Sequence, residues 1–155
     1  MLIHKTGNIL NSEENIICHQ VNVDGIMGGG LAKQIADVYP NVELYYRDYC
    51  NFLCNNYELL KDDYCIVQVK PNQYIANCFT QKPNFNTDYE AIKICFEALL
   101  NVCKKHNKTI CVPYGYGSNI ANGSWTKISQ IFNKLSDEYS VPIVVYRLPR
   151  QRDLK

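Results

Sequence analysis

Apolar positions along the 155-residue chain follow two alternating rhythms. Short, densely apolar or β-branched runs read as strands: Leu2 to Lys5, Asn15 to Asn22, Tyr64 to Val69, Tyr74 to Phe79, Thr109 to Pro113 and Val141 to Leu148. Between them apolar residues recur three and four apart, as a helix with one buried face requires. Leu31, Ile35 and Val38 make one such stripe, with Pro40 closing the helix, and Val42 to Leu53 makes the next. Ile92, Cys95, Phe96, Leu99 and Cys103 form a third stripe, and Trp125, Ile128, Ile131, Phe132 and Leu135 a fourth. Thr87 followed by Glu90 spells a capping box at the start of the third. Alternation of this kind predicts an α/β fold, with a mixed, mostly parallel central sheet of about six strands and helices on both faces.

Charge narrows the function classes. Sixteen basic residues stand against fifteen acidic ones, so no broad basic face recruits nucleic acid. Residues 149–155 form a locally basic tail, read as a solvated end of one domain spanning 1–155. The runs Lys61-Asp62-Asp63 and Lys104-Lys105 read as solvated surface. None of the eight cysteines forms a CxxC pair or a Cys/His zinc spacing, and most sit inside apolar runs as small buried hydrophobes. No apolar stretch reaches the roughly 18 residues of a membrane span. The reading is a reduced, cytoplasmic, soluble protein with no metal and no membrane partner.

Two glycine clusters carry the chemistry. Gly25, Gly28, Gly29 and Gly30 stand between an apolar run and the helix beginning near Leu31, and Gly115 and Gly117 follow the strand ending at Pro113. In α/β sheets ligands bind beyond the carboxyl ends of the strands, so both clusters should meet at one edge. Successive N–H groups in such loops form anion nests, and a following helix adds its positive N-terminus. The GxxGGG spacing fails the GxGxxG dinucleotide fingerprint, and no GK[ST] follows as in a P-loop. Two facing donor loops suit a diphosphate. Gln20 and Asn22 share one strand face and offer amides to a sugar hydroxyl, while His19 points the other way and reads as a satisfied histidine of the core, or one behind the site residues, rather than a catalyst.

Five segments together identify a resemblance: GNIL (Gly7 to Leu10), CHQVNVDGIMGGGLAKQI (Cys18 to Ile35), YIANCFTQ (Tyr74 to Gln81), TDYEA (Thr87 to Ala91) and VPYGYGSNIANGSW (Val112 to Trp125). In this order they resemble a macrodomain over essentially the whole chain, of the bacterial and phage type akin to terminal ADP-ribose glycohydrolases and the yeast ADP-ribose-1″-phosphatase. The resemblance implies a three-layer α-β-α fold that binds ADP-ribose, free or attached to a protein or nucleic acid, as a monomer without a cofactor.

It also implies residue roles. Asn8 takes the place of a family Asp at the adenine amine, and Ile9 covers the purine. Gln20, Asn22, Gly25, Met27, Gly28, Gly29, Gly30 and Leu31 form the first phosphate loop and its approach. Thr80, Pro113, Tyr114, Gly115, Tyr116, Gly117, Ser118, Asn119 and Ile120 complete the ligand wall, with Ser118 where relatives have Cys and Asn119 where they have Gly. Gln81, with Lys82 beside it, takes the place of the glycohydrolases' catalytic Lys, and Ala121 or its neighbour that of their Asp, with no carboxylate until Asp137. Asp24 is then the acidic residue nearest the distal ribose, either a general base or only a turn former before Gly25. Two functions stay open: a hydrolase of an ADP-ribosyl linkage or ester, and a non-catalytic ADP-ribose reader.

Overall fold

A central sheet of six strands organises the molecule, in the order β1-β8-β7-β2-β4-β3. The computed structural model describes residues 1–150, so most of the basic tail lies outside the described residues. The strands are β1 (Leu2–Thr6), β2 (Ile16–Gln20), β3 (Tyr64–Lys70), β4 (Gln73–Cys78), β7 (Ile110–Pro113) and β8 (Ile143–Arg147). Within this sheet only β3 runs antiparallel to its neighbour; every other pairing in it is parallel. The helices are α1 (Gly30–Val38), α2 (Pro40–Phe52), α3 (Tyr57–Leu60), α4 (Tyr89–His106) and α5 (Trp125–Tyr139). A two-stranded hairpin, β5 (Gln81–Lys82) with β6 (Asn86–Thr87), stands apart from the sheet.

Alternation along β2 sorts the core into two layers. Ile16 and Cys18 face α4 and α5, packing with Ile92, Phe96, Leu99 and Phe132. Ile17 and Val21 face α1 and α2, packing with Ile35, Val42, Tyr46 and Phe79. Because helices cover both faces, the central parallel strands β2 and β7 are buried almost throughout, whereas the edge strand β1 is mostly exposed. Seven cysteines are buried in these layers and only Cys54 is exposed. Burial pushes the Cys18 thiol up to about 11, which keeps it an uncharged packing group.

Two helix boundaries differ from their sequence expectation. Pro40 closes α1, which ends at Val38, and it also opens α2 at its first position, two residues before the expected start at Val42, where its missing N–H leaves no bond unmade. Thr87 does not cap α4. Asp88 does, accepting from the Ala91 N–H at 3.1 Å, while the Thr87 hydroxyl is drawn to a partner thirty residues onward.

Candidate functional site

Strands β2 and β7 are parallel neighbours, with Ile16 opposite Ile110 and Ile17 opposite Cys111. The chain therefore leaves both at the same sheet edge, and the two glycine loops emerge side by side. Loop 1 runs from Val21 into Gly29, the N-cap of α1, so its last amides lie at that helix's positive end. Loop 2 runs from Tyr114 to Ser124, the N-cap of α5. They face each other closely: a Cβ on Gly29 would lie 3.4 Å from Ile120 Cδ1.

Between and beside the loops runs a two-lobed groove. The first lobe, of 450 Å³, is walled by both loops together with His19, Gln81, Phe85 and Ala121. The second, of 410 Å³, is walled by Asn8, Ile9, Gln34, Tyr114, Tyr146, Arg147 and Leu148. Gly30, Leu31, Pro113 and Asn119 line both lobes and mark the waist. Each lobe is of the size that small-molecule sites occupy.

Loop 1 is fixed from behind by α2. Asn22 Oδ1 accepts from the Asp24 N–H at 2.9 Å and from the Tyr46 hydroxyl at 2.7 Å. Arg47 Nε donates to the Gly25 carbonyl and Glu43 accepts from the Met27 N–H. Asn55 Nδ2 donates to the Val23 carbonyl. Met27 is buried beneath the loop as its apolar anchor, and neither it nor Gly25 lines the groove.

Loop 2 is fixed by a chain of hydroxyls and one amide. Thr87 Oγ1 donates to the Gly117 carbonyl at 2.6 Å and accepts from Gln20 Nε2 at 3.1 Å. Thr80 Oγ1 donates to Gln20 Oε1 at 2.8 Å and lies 2.7 Å from the Tyr116 hydroxyl. Ser118 Oγ donates to the Gly115 carbonyl. Gln20 and Asn22, expected to offer their amides to a sugar, thus hold the two loops in shape. Thr80 is fully buried behind the wall rather than in it, and Ser118 does not line the groove.

Charge in the groove is sparse and polarised. Asp24 lines the first lobe, is exposed, and its carboxylate has no hydrogen-bond or ion-pair partner among the described residues. Its turn is made by its backbone N–H on Asn22, which leaves the carboxylate available. Among the described residues no other carboxylate lines either lobe. Arg147 lines the second lobe with its guanidinium 4.2 Å from the centre of the Tyr114 ring, a cation–π contact. Asn8 Oδ1 already accepts from the Leu10 N–H at 2.9 Å, capping the short turn Ile9–Asn11. Among the described residues no cluster of His, Cys, Asp and Glu is arranged to hold a metal ion, and no helix is long and apolar enough to cross a membrane.

His19 is 3% exposed on the floor of the first lobe. Desolvation outweighs its bond to Asn77 and holds the imidazole down to about 4. The unfolded chain protonates near 6.5. Stability tied to neutral His19 is therefore complete above pH 6.5 and is lost as pH falls toward 4, by about 3 kcal/mol in all. A thermal-melt series from pH 7 to pH 4 checks this: the wild type should lose stability steadily, and His19→Phe should lose less.

Several wall residues were not anticipated from sequence: Ile26, Phe85, Gln34, Tyr146, Arg147 and Leu148. The last three were legible in principle. Tyr146 and Arg147 end the strand β8 and Leu148 follows it; β8 is parallel to β7, so all three arrive at the same edge.

The macrodomain of Mycobacterium tuberculosis DarG superposes with a TM-score of 0.80 at 21% identity, covering 97% of this chain and 99% of that one. The chain has the macrodomain fold. Another macrodomain, that of Oceanobacillus iheyensis with ADP, superposes with a TM-score of 0.69 at 19% identity over 97% of this chain and 84% of that one. Thermosipho africanus DarTG in complex with ADP-ribose gives 0.77 at 18% identity, over 95% and 42%. In sequence, an ADP-ribose 1″-phosphate phosphatase from Lodderomyces elongisporus is 32% identical over 111 residues, 69% of this chain. The match spans 66% of that phosphatase, just under two thirds of its length. No family model matches the chain.

Proposed function

We propose that this macrodomain binds ADP-ribose derivatives along the two-lobed groove and hydrolyses a substituent at C1″ of the distal ribose. The observation that carries this is the pairing of two donor loops at the groove's waist with one unpartnered carboxylate, Asp24, at one end. The diphosphate would lie on the amides of Gly28 to Gly30 and of loop 2, at the N-terminus of α1. The adenosine would fill the lobe of Asn8, Ile9 and Arg147, and the distal ribose the lobe of Asp24. The 1″-phosphate is the first substituent to test, because the phosphatase of L. elongisporus is similar to this chain.

Asp24 would take a proton from the attacking water, whose oxygen ends on the ribose while the substituent departs protonated. A reader that binds without reacting is favoured by one feature: Gln81 and Ala121 line the first lobe at or beside the positions that the resemblance assigns to the glycohydrolases' Lys and Asp, and Lys82, next to Gln81, does not line it. Calorimetry with ADP-ribose, then turnover of ADP-ribose-1″-phosphate, O-acetyl-ADP-ribose and ADP-ribosylated protein or DNA, separates the readings. Asp24→Asn should lower turnover about 100-fold or more while leaving ADP-ribose affinity within about threefold. An unchanged rate removes Asp24 from the reaction. No heat at high micromolar ADP-ribose overturns the binding assignment itself.

A further inference from the structure

His19 belongs to a cross-strand row on one face of the sheet: His19 on β2, Asn77 on β4 and Cys65 on β3 are in register. The row fixes the imidazole's tautomer. Asn77 Nδ2 donates to the Cys65 carbonyl at 3.0 Å, so Asn77 Oδ1 faces His19. That oxygen lies 2.6 Å from His19 Nε2, which must therefore carry the proton. Nδ1 is left with a lone pair. It has no partner among the described residues, and since no buried side-chain nitrogen or oxygen of those residues is left unbonded, it opens to the groove.

Its place in the groove selects what it meets. The second lobe lies beyond β1, β8 and β7, whereas His19 leans toward β4, on the opposite side of β2. It therefore floors the lobe that also holds Asp24, Gln81 and Phe85. A lone pair there needs a hydrogen-bond donor. Ionised phosphate oxygens donate nothing, but sugar hydroxyls do. We propose that His19 Nδ1 accepts a hydrogen bond from a hydroxyl of the distal ribose, making His19 a specificity residue that separates ADP-ribose from ADP. The assignment rests on the binding orientation given above. The ring stays neutral throughout the physiological range, so it acts as a fixed acceptor and exchanges no proton.

The test uses ¹⁵N-histidine spectra of the wild-type protein, with the His19 signals identified by their loss in His19→Phe. Saturating ADP-ribose should shift the Nδ1 resonance as an acceptor gaining a bond, with Nε2 still protonated, and saturating ADP should leave Nδ1 where it was. In calorimetry, His19→Phe should weaken ADP-ribose about tenfold and leave ADP unchanged. If both nucleotides bind and Nδ1 does not respond to ADP-ribose, or if the variant weakens both equally, the inference is wrong while the binding assignment stands. If neither nucleotide binds the wild type, the binding assignment fails and this inference with it. The spectra need no folded variant beyond signal assignment, and His19→Gln supplies that assignment should His19→Phe not fold.

Discussion

Gly123→Ala is expected to abolish ADP-ribose binding and to destabilise the fold by about 2–4 kcal/mol. A Cβ at this position would lie 2.5 Å from the Gly117 carbonyl oxygen, 2.9 Å from Thr87 Oγ1 and 3.0 Å from Ile128 Cδ1. The nearest atom is backbone, so no side-chain rotation relieves the contact. That carbonyl also accepts the Gly123 N–H at 3.0 Å and the Thr87 hydroxyl. Moving it away breaks both bonds, and through Thr87 it disturbs Gln20 and the end of β2. Gly117 itself is at φ +73°, a conformation that tolerates little adjustment in most residues but that glycine holds freely. Thermal unfolding and calorimetry on the same preparation check the expectation. Gly28→Ala is the control, because its Cβ would meet only Ile26 at an ordinary 3.6 Å and its stability should change by less than about 0.5 kcal/mol. A Gly123→Ala protein that melts like the wild type would show that loop 2 is not braced as described.

Gly29→Glu should separate the two effects: an intact fold with a loss of ADP-ribose affinity of about 100-fold or more. Gly29 has extended backbone angles, φ −156° and ψ 165°, which any residue adopts. Its Cβ would sit at ordinary contact distance from Ile120 Cδ1, across the groove. The longer side chain would then lie between the loops, with a carboxylate at the N-terminus of α1. That position suits an acid, so the melting temperature should hold or rise slightly. The same carboxylate fills the anion nest and repels a diphosphate. Binding that survives Gly29→Glu would place the ligand elsewhere on the molecule.

Fold class was readable because it depends on rhythm. Six apolar runs alternating with amphipathic stretches allow few architectures, and the doubly covered sheet follows from burial alone. Loop positions were readable for a related reason, since parallel strands deliver their following loops to one edge. Side-chain roles were less legible where two residues compete for one bond. Thr87 and Asp88 are both good caps, and nothing local reveals that Gly117 takes the Thr87 hydroxyl. Gln20 and Asn22 looked available to a ligand because their partners, Thr80, Thr87 and Tyr46, are remote in sequence. The free lone pair of His19 depends on the orientation of Asn77, which depends in turn on Cys65. The hairpin of β5 and β6 has two residues per strand, too few for any alternation to show.

The pairing of β1 with β8 carries a consequence for how the groove comes into being. Leu2 is in register with Ile143, and the Gly7 N–H donates to the Arg147 carbonyl, so residues from opposite ends of the described chain meet there. Closing so long a loop is slow compared with local helix formation. The first lobe, built on β2, β4 and β7, can assemble from the middle of the chain, whereas the second needs Asn8 and Arg147 together. If the nucleotide lies as proposed above, a chain lacking β8 would hold half a groove, with walls for a sugar and a diphosphate and no seat for a purine, and recognition of the whole nucleotide would report on completion of the sheet.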